Sequence, residues 1–227
     1  MLFIISTISI LAHSQVDHKK LDALLKTYVN AEGFVDYSQL SKKKREILDI
    51  VSIYSKVKPE SLSKEDQLAF YINLYNIHTI YKIISHYPIK SIKDLDGGKP
   101  WDQNTITLGN KKLSLNDIEN KIIRPTFKDA RIHFALNCGA VSCPVLLNGA
   151  YMGSSIYSQL DAQTKKFINN QKFNTISSNK LNLSKVFEWY KADFGNIIEF
   201  ISKYVKIKLN AGASITHVEY NWSLNGK

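Results

Sequence analysis

The sequence predicts a single α+β domain, rich in helices, in which a small and mainly antiparallel sheet packs on a long central helix. A chain of 227 residues with 44% hydrophobic and 11% aromatic residues is long enough to bury one substantial core. Residues 63–85 are apolar nearly all round at helical spacing, and the other segments alternate between amphipathic helices and short strands. A mixed α/β sheet with parallel strands is the alternative.

The first half of the chain is predicted to be helical. Apolar residues at helical spacing predict a helix over residues 17–30. A second helix, capped by Ser38 or Ser41, is expected to end near residue 55. Ser63 is the expected N-cap of the long helix, whose first turn is acidic. Because this helix is so apolar, we expect it to be the central buried element.

Two asparagines, Asn73 and Asn76, lie three residues apart on one face of the long helix. A buried amide without partners costs about 1–3 kcal/mol, so we expect both side chains to be buried and hydrogen-bonded. They either hold adjacent backbone in place, or one of them orients a catalytic histidine or contacts an oxyanion. His78 does not share a helix face with Asn76, so it is not the histidine that Asn76 would orient.

The second half combines hairpins with further helices. Gly109-Asn110 is expected to connect two short strands, residues 105–108 and 111–113. A helix capped by Ser114 is expected to end at Arg124, before Pro125. The later predicted elements are a helix over 154–170, a hairpin of residues 173–177 and 180–183, a short helix from 184 to 190, a last long helix over 195–205 and a terminal strand over 215–220.

Three charged residues of the helix after Ser114 have two possible interpretations. Asp117, Glu119 and Arg124 form either a charged active-site set or a helix cap with a surface ion pair. The cap and the surface pair explain these residues at least as well as an active-site set does.

The net charge of +10 comes from 30 Lys+Arg against 20 Asp+Glu. Only residues 42–45 form a tight basic cluster, and the remaining lysines are spread along the chain. The spacing of a helix-turn-helix, an RNP-like motif or a zinc finger is not found. We therefore interpret the excess charge as a solvated, lysine-rich surface rather than as a surface for nucleic acid or anionic lipid.

The N-terminus predicts export. Residues 2–12 are apolar and are followed by Ala12-His13-Ser14, which resembles the hydrophobic region and cleavage site of a signal peptide. The segment is too short to span a bilayer, and a buried N-terminal strand is the alternative. We expect residues 1–14 to be removed, leaving a periplasmic or secreted domain over residues 15–227 without an integral membrane segment.

Potential chemistry is concentrated in residues 132–144, IHFALNCGAVSCP, which contain both cysteines and a histidine. The β-type run that carries His133 is expected to end at the turn 137–139, which places Cys138 beside free backbone amides. On a strand His133 and Cys138 would be about 16 Å apart and on opposite faces. Cys143, returning after the turn, would approach His133. The histidines that would have to serve Cys138 from elsewhere are His78, His86 and His217.

Three interpretations of the cysteines remain open. A disulfide is the simplest for an exported protein, although its short loop would stabilise the fold only modestly. A nucleophilic cysteine requires a histidine within hydrogen-bonding reach and a lowered thiol pKa. A metal site formed by His133, Cys138 and Cys143 lacks a clear fourth ligand. We therefore predict neither a metal nor a cofactor.

Several ordered motifs together resemble one family of proteins. They lie at residues 33–37, 69–76, 87–92, 114–119, 131–140, 142–144, 183–190, 193–194 and 220–225.

Over residues 34–225 the chain resembles the DUF547 family, a domain of unknown function found in bacteria and eukaryotes. The family brings no established activity and therefore no catalytic residues. Some relatives join this domain to a glutaredoxin-like one, so the resemblance implies thiol chemistry. Cytosolic relatives keep the two-cysteine segment, which weakens a purely disulfide explanation. Asn120 stands where the family more often has a histidine, so no role of that histidine carries over.

The sequence thus predicts an exported, thiol-dependent enzyme acting through Cys138 with a histidine, on a peptide, a cell-wall fragment or a small thiol. His133, Cys143, Asn73 and Asn76 complete the candidate catalytic site. The competing hypothesis is a non-catalytic binding or structural module with a Cys138–Cys143 disulfide. In either case the expected partner is a small molecule or a peptide, not nucleic acid.

Overall fold

The computed structural model describes residues 16–227, so the predicted signal peptide lies outside the described residues. The described chain is a helix-rich single α+β domain with two small sheets, which confirms the predicted fold class. None of the described helices is long and apolar enough to cross a membrane.

The first four helices include the long buried one. They are α1 (Lys19–Tyr28), α2 (Tyr37–Ser41), α3 (Lys44–Ser55) and α4 (Lys64–Ser85). Helices α2 and α3 contact α4, and most of the 22 residues of α4 are buried, as predicted for the central element. Its N-cap is Ser63, whose hydroxyl accepts a hydrogen bond from the Asp66 N–H at 3.1 Å.

The predicted second helix is divided into α2 and α3, and its predicted caps were wrong. Asp36 caps α2 by accepting a hydrogen bond from the Gln39 N–H at 3.0 Å. Ser38 and Ser41 lie inside α2, because the carboxylate of Asp36 reaches the free N–H groups of the first turn before either serine can.

The helix after Ser114 is longer than predicted and contains a π-helical segment. Ser114 and Asp117 cap each other, at 2.9 and 3.0 Å, as predicted for a capping box. The chain is π-helical over Asp117–Ile123 and continues as α5 (Arg124–Phe127). The prediction that Pro125 ends this helix was wrong, because the change of hydrogen-bond register places the proline in the first turn of α5, where its missing N–H is tolerated.

Two small sheets complete the fold. Strands β1 (Ile106–Leu108) and β2 (Lys111–Leu113) form the predicted antiparallel hairpin. The second sheet has the order β3 (Thr175–Ile176), β4 (Lys180–Leu183) and β5 (Ser214–His217). Strands β3 and β4 are antiparallel as predicted, whereas β4 and β5 are parallel.

Four helices connect these sheets to the core. They are α6 (Ile156–Ile168), α7 (Lys185–Trp189), α8 (Lys191–Phe194) and α9 (Ile197–Ser202). Helix α6 contacts α4. The last helix is shorter than the predicted range 195–205, because Asn196 caps it and the chain turns at Lys203.

The buried apolar side chains form two clusters, and the cysteine segment lies where they meet. Ile132, Ala135 and Leu136 belong to the cluster around α4, whereas Phe134 belongs to an aromatic cluster built by the second half of the chain. Neighbouring residues of this segment therefore pack into different clusters. This double attachment fixes the backbone that leads to Cys138.

The prediction of a strand through His133 was wrong. Residues Ala130–Phe134 form a 3-10 helix that is capped by Asp129, and the following residues to Cys138 are irregular. Three consecutive side chains, Ile132, His133 and Phe134, are buried, because apolar packing surrounds the segment. A continuous apolar run does not by itself distinguish a buried strand from a buried helical turn.

Candidate functional site

Cys138 and Cys143 both line a cavity of about 200 Å³. The residues that line it come from distant parts of the chain: α4, the π-helical segment, the cysteine segment, α7 and the C-terminal residues 220–222. All three tryptophans of the protein are among them. A concave, largely aromatic cavity with a few convergent polar groups is the usual form of a ligand site.

Asn76 fixes the backbone that leads into the Cys138 turn. Its amide nitrogen donates to the Ala135 carbonyl at 2.9 Å, and its oxygen accepts from the Asn137 N–H at 2.9 Å. The side chain of Asn137 then donates to the Pro144 carbonyl at 2.8 Å, which closes the loop around both cysteines. Asn76 is 3% exposed, so these bonds are protected from water and the loop has one defined geometry.

Gly139 allows the chain to turn directly after Cys138. Its φ is +83°, a left-handed conformation that residues with a side chain rarely adopt. A Cβ atom at this position would lie 2.6 Å from Cδ1 of Ile83 on α4, so the end of the Ile83 side chain would also have to move. The turn brings the Gly139 N–H to the side-chain oxygen of Asn137 at 3.0 Å.

Cys138 is partly exposed and favours the thiolate. Burial raises its pKa, but hydrogen bonding from the Cys143 thiol, the Tyr220 hydroxyl and the backbone of Ala140 outweighs this, and the net pKa lies below the ordinary value. The Tyr220 hydroxyl is 3.3 Å from the Cys138 sulfur, and burial raises the pKa of Tyr220 so that it keeps its proton and can donate. Hydrogen-bond donors thus stabilise the thiolate of Cys138, which is the reactive form of a cysteine.

Cys143 is the opposite kind of thiol. It is buried, and its sulfur accepts a hydrogen bond from the Cys138 N–H at 2.8 Å. Burial and the proximity of Cys138 raise its pKa well above the ordinary value. The two thiols are not joined by a disulfide in this structure. The site therefore contains one thiol suited to attack and a second, protonated thiol beside it.

His133 lines the same cavity but is held by Asp193 rather than by a cysteine. Its Nε2 donates to Asp193 Oδ2 at 2.7 Å, and its ring stacks on Tyr190 with 3.8 Å between centroids. Burial lowers the pKa of His133 to about 4, although Asp193 acts in the opposite direction. The ring is therefore neutral at pH 7, with its proton on Nε2 and an acceptor lone pair on Nδ1.

Asp193 is fixed from the other side by Arg124. The guanidinium donates to both carboxylate oxygens, at 2.6 and 2.9 Å. This pairing lowers the pKa of Asp193 and keeps the carboxylate charged. The chain of contacts from Arg124 through Asp193 to His133 thus fixes the orientation of the imidazole, and His133 lines the cavity.

Glu119 is the buried carboxyl group of the cavity. It is 6% exposed, and its Oε1 lies 3.9 Å from His133 Nδ1. Burial raises the pKa of Glu119, while the hydroxyls of Tyr190 and Tyr75 and the charge of Arg124 oppose this shift.

Asp117, Glu119 and Arg124 therefore do not share one role. The helix cap and surface ion pair describe Asp117, whereas Glu119 and Arg124 belong to the charged site. Asp117 forms the helix cap and an ion pair with Lys121, at 2.6 Å. Glu119 lines the cavity, and Arg124 orients the Asp193–His133 pair. Asn120 is exposed and accepts a hydrogen bond from Arg124 at 2.8 Å.

The other predicted site residues lie away from the sulfur atoms. Asn73 is buried and hydrogen-bonded, as predicted for both asparagines, but it binds the backbone of Tyr151, at 2.8 and 3.0 Å, rather than the cysteine loop. Among residues 16–227 neither cysteine has a hydrogen bond to an imidazole, so none of the histidines considered for the thiols fulfils that role. Those histidines are His78, His86, His133 and His217.

Sequence reasoning missed the residues that complete the cavity. Tyr220 and Asp193 lie far from Cys138 in the chain, and no local pattern assigns them a role. The one feature of the sequence that could have pointed to Tyr220 and Asp193 is that both lie in segments that resemble the DUF547 motifs. Within the described residues no group of three or more histidine, cysteine or acidic side chains could hold a metal ion.

Comparison with known proteins identifies one family. Residues 59–168 match the model of a family described as "Protein of unknown function, DUF547". The match covers α4, the π-helical segment and the cysteine loop. Comparisons with curated proteins and with solved structures give no match.

Proposed function

We propose, from the site itself, that the protein is a thiol-dependent enzyme that acts through Cys138. Residues 59–168 match the model of the DUF547 family, whose description assigns no activity. One observation carries the proposal: a partly exposed thiol with a lowered pKa lines a cavity and is flanked by hydrogen-bond donors. The thiolate is the nucleophilic form of cysteine, so these features favour attack on a bound substrate.

Thiol–disulfide exchange is the reaction that the pair of thiols supports best. The Cys138 thiolate attacks one sulfur of a substrate disulfide, a bond forms to that sulfur, and the other half leaves as a thiolate. The Cys143 thiol gives its proton to the leaving thiolate. The resulting Cys143 thiolate attacks the sulfur of Cys138, which joins the two cysteines and releases the second half as a thiolate. Two small thiols from the surroundings then reduce this disulfide in two successive exchanges. They are themselves joined as a disulfide, and Cys138 and Cys143 return to a thiolate and a thiol.

The raised pKa of Cys143 is consistent with its acting second, after Cys138 has attacked the substrate. Burial and the neighbouring Cys138 thiolate disfavour its ionisation. Formation of a mixed disulfide at Cys138 removes that negative charge, so Cys143 becomes easier to ionise only after the first step. Acyl transfer receives less support, because the imidazole of His133 is turned to Asp193 and does not contact either sulfur.

We expect iodoacetamide to alkylate Cys138 before Cys143, with a pH midpoint below the value of about 8.5 for a free cysteine. Replacing Tyr220 by phenylalanine removes a donor to the thiolate, so the midpoint should move upward. The matched control is Tyr157→Phe, which removes the hydroxyl of an exposed residue that does not line the cavity. Peptide mass spectrometry after timed alkylation from pH 5 to 9 gives both midpoints.

Two outcomes would overturn the proposal. One is faster labelling of Cys143 than of Cys138, and the other is a Cys138 midpoint at or above that of free cysteine. The competing hypothesis, a binding module whose cysteines only staple the loop, predicts no labelling of the native protein until a reductant is added.

We also propose that the protein is exported, on the basis of the apolar residues 2–12 and the small residues that follow them. The native protein should then begin at or near Gln15 and be recovered from the periplasm or the medium. Mass spectrometry of the intact protein from each cell fraction measures this. Cytoplasmic protein that keeps Met1 would contradict export without affecting the proposal for Cys138.

A further inference from the structure

We propose that the cavity beside Cys138 binds an ammonium group, so that the preferred disulfide substrate is one that carries a protonated amine. This inference rests on the proposed function in one respect, namely that the ammonium-bearing ligand is a substrate. Its physical basis is separate and consists of three features of the cavity as residues 16–227 form it: a lining without lysine or arginine, an acceptor atom without a partner, and aromatic walls.

The described lining of the cavity lacks the lysines and arginines that dominate the charge of the protein as a whole. The chain has 30 Lys+Arg and a net charge of +10, yet none of the described residues that line this cavity is a lysine or an arginine. The titratable acids in its wall are Glu119, Cys138 and Cys143, together with tyrosines. An anionic ligand would lie beside Glu119 without a cation to pair with, which is unfavourable in a desolvated site.

His133 supplies an acceptor that lacks a partner. Its side chain is completely buried, and Nδ1 has no hydrogen-bond partner among residues 16–227. The proton on Nε2 is committed to Asp193, so Nδ1 can only accept. Buried polar atoms are nearly always hydrogen-bonded, which indicates that a ligand donor completes this atom. Glu119 Oε1 lies 3.9 Å away, so one ammonium with three donors could reach both acceptors.

The aromatic walls favour the same ligand. Trp189, Tyr220 and Trp222 form one cluster with centroids 4.5 to 5.9 Å apart at the side of the cavity. Aromatic faces attract cations, and the attraction is larger where water is excluded. Trp222 already binds one cation in this way. Lys93 Nζ lies 4.8 Å from the centroid of its ring, and Lys93 is not a lining residue of the cavity. A cationic group with an apolar body therefore matches both the polar end and the walls.

The first test measures binding without thiol chemistry. Because all three tryptophans line the cavity, intrinsic tryptophan fluorescence reports on this site alone. Butylammonium should give a saturable change in emission at pH 7, whereas butanol and butyrate at the same concentrations should not. An equal response to butanol, or a stronger one to butyrate, would overturn the inference.

The second test measures substrate preference at Cys138. The probes are cystamine, 2-hydroxyethyl disulfide and dithiodiglycolate, which are cationic, neutral and anionic disulfides of similar size. Mass spectrometry follows the protein–substrate mixed disulfide, and each rate is divided by the rate of the same probe with free cysteine. The cationic probe should exceed the neutral one by about tenfold, which corresponds to the strength of one desolvated cation–π contact or ion pair.

A pair of variants assigns this preference to the cavity. Glu119→Gln keeps the size of the side chain and should remove most of the preference for cystamine. Glu188→Gln removes the same charge from a residue outside the cavity that pairs with Lys185, and should leave the preference unchanged. Equal preference in wild type and Glu119→Gln would overturn the role of Glu119. If Glu119→Gln does not fold, the rates of the three disulfide probes with the wild-type protein still test whether the cavity prefers an ammonium group.

The two proposals fail in different ways. Equal reaction of all three probes with Cys138 would refute the ammonium site and leave the thiol enzyme standing. Saturable binding of butylammonium without reaction of any disulfide at Cys138 would refute the thiol enzyme and leave the ammonium site standing.

Discussion

Lowering the pH from 7 to 5 is expected to destabilise the fold by several kcal/mol. Three buried histidines, His18, His78 and His133, have pKa values lowered to about 4, with burial as the largest cause in each. An unfolded chain protonates these rings near pH 6.5. The unfolded state therefore binds protons between pH 6.5 and 4 that the folded state excludes, and stability falls with pH across this window.

The expected size follows from the difference in pKa. At pH 5 each histidine contributes a loss of ~2 kcal/mol relative to pH 7, so three independent rings would contribute ~6 kcal/mol. That is comparable to the whole stability of many domains, about 5–15 kcal/mol. Urea unfolding at pH 7, 6 and 5 measures it.

His78 provides the control for this prediction. Burial is the only cause of its lowered pKa, and its Nε2 has no hydrogen-bond partner among the described residues. Replacing it by leucine should remove about one third of the pH dependence while leaving the rest. A fold equally stable at pH 7 and 5, or the same slope in His78→Leu, would show that these rings are not the cause.

Replacing Asn76 by leucine should both destabilise the protein and slow the reaction of Cys138. The change leaves the Ala135 carbonyl and the Asn137 N–H buried without partners. Each such group costs about 1–3 kcal/mol, so the free energy of unfolding should fall by about 2–6 kcal/mol. The loss also releases the backbone before Cys138, which should raise the thiol pKa towards its ordinary value.

Asn73→Leu is the matched control on the same helix. Asn73 also donates to one backbone carbonyl and accepts from one N–H, but both belong to Tyr151, away from the cysteine loop. It should cost a similar amount of stability without changing the alkylation midpoint of Cys138. Urea unfolding and timed alkylation of the folded protein separate the two effects. A shifted midpoint in both variants, or in neither, would contradict a positioning role for Asn76.

Much of the framework follows from local sequence. The Ser63 cap, the apolar residues of α4 and the hairpin of β1 and β2 were predicted because caps, turn residues and periodicity act over a few residues. The burial of Asn73 and Asn76 also followed, since the helix around them is apolar on nearly all sides. The cysteine turn was located for the same reason, because its Asn-Cys-Gly sequence is local.

What only the tertiary structure decided is the environment of these residues. The 3-10 turn at His133 was mistaken for a strand, because consecutive residues pack into two different cores that are built from distant parts of the chain. Glu119 was equally well explained as a surface residue until Tyr75 and Tyr190 were seen to enclose it. The pKa of Cys138 depends on Tyr220, 82 residues away, and no periodicity or spacing encodes that contact. Local patterns determine where helices and turns form, whereas burial and hydrogen bonding between distant residues determine which side chains are reactive.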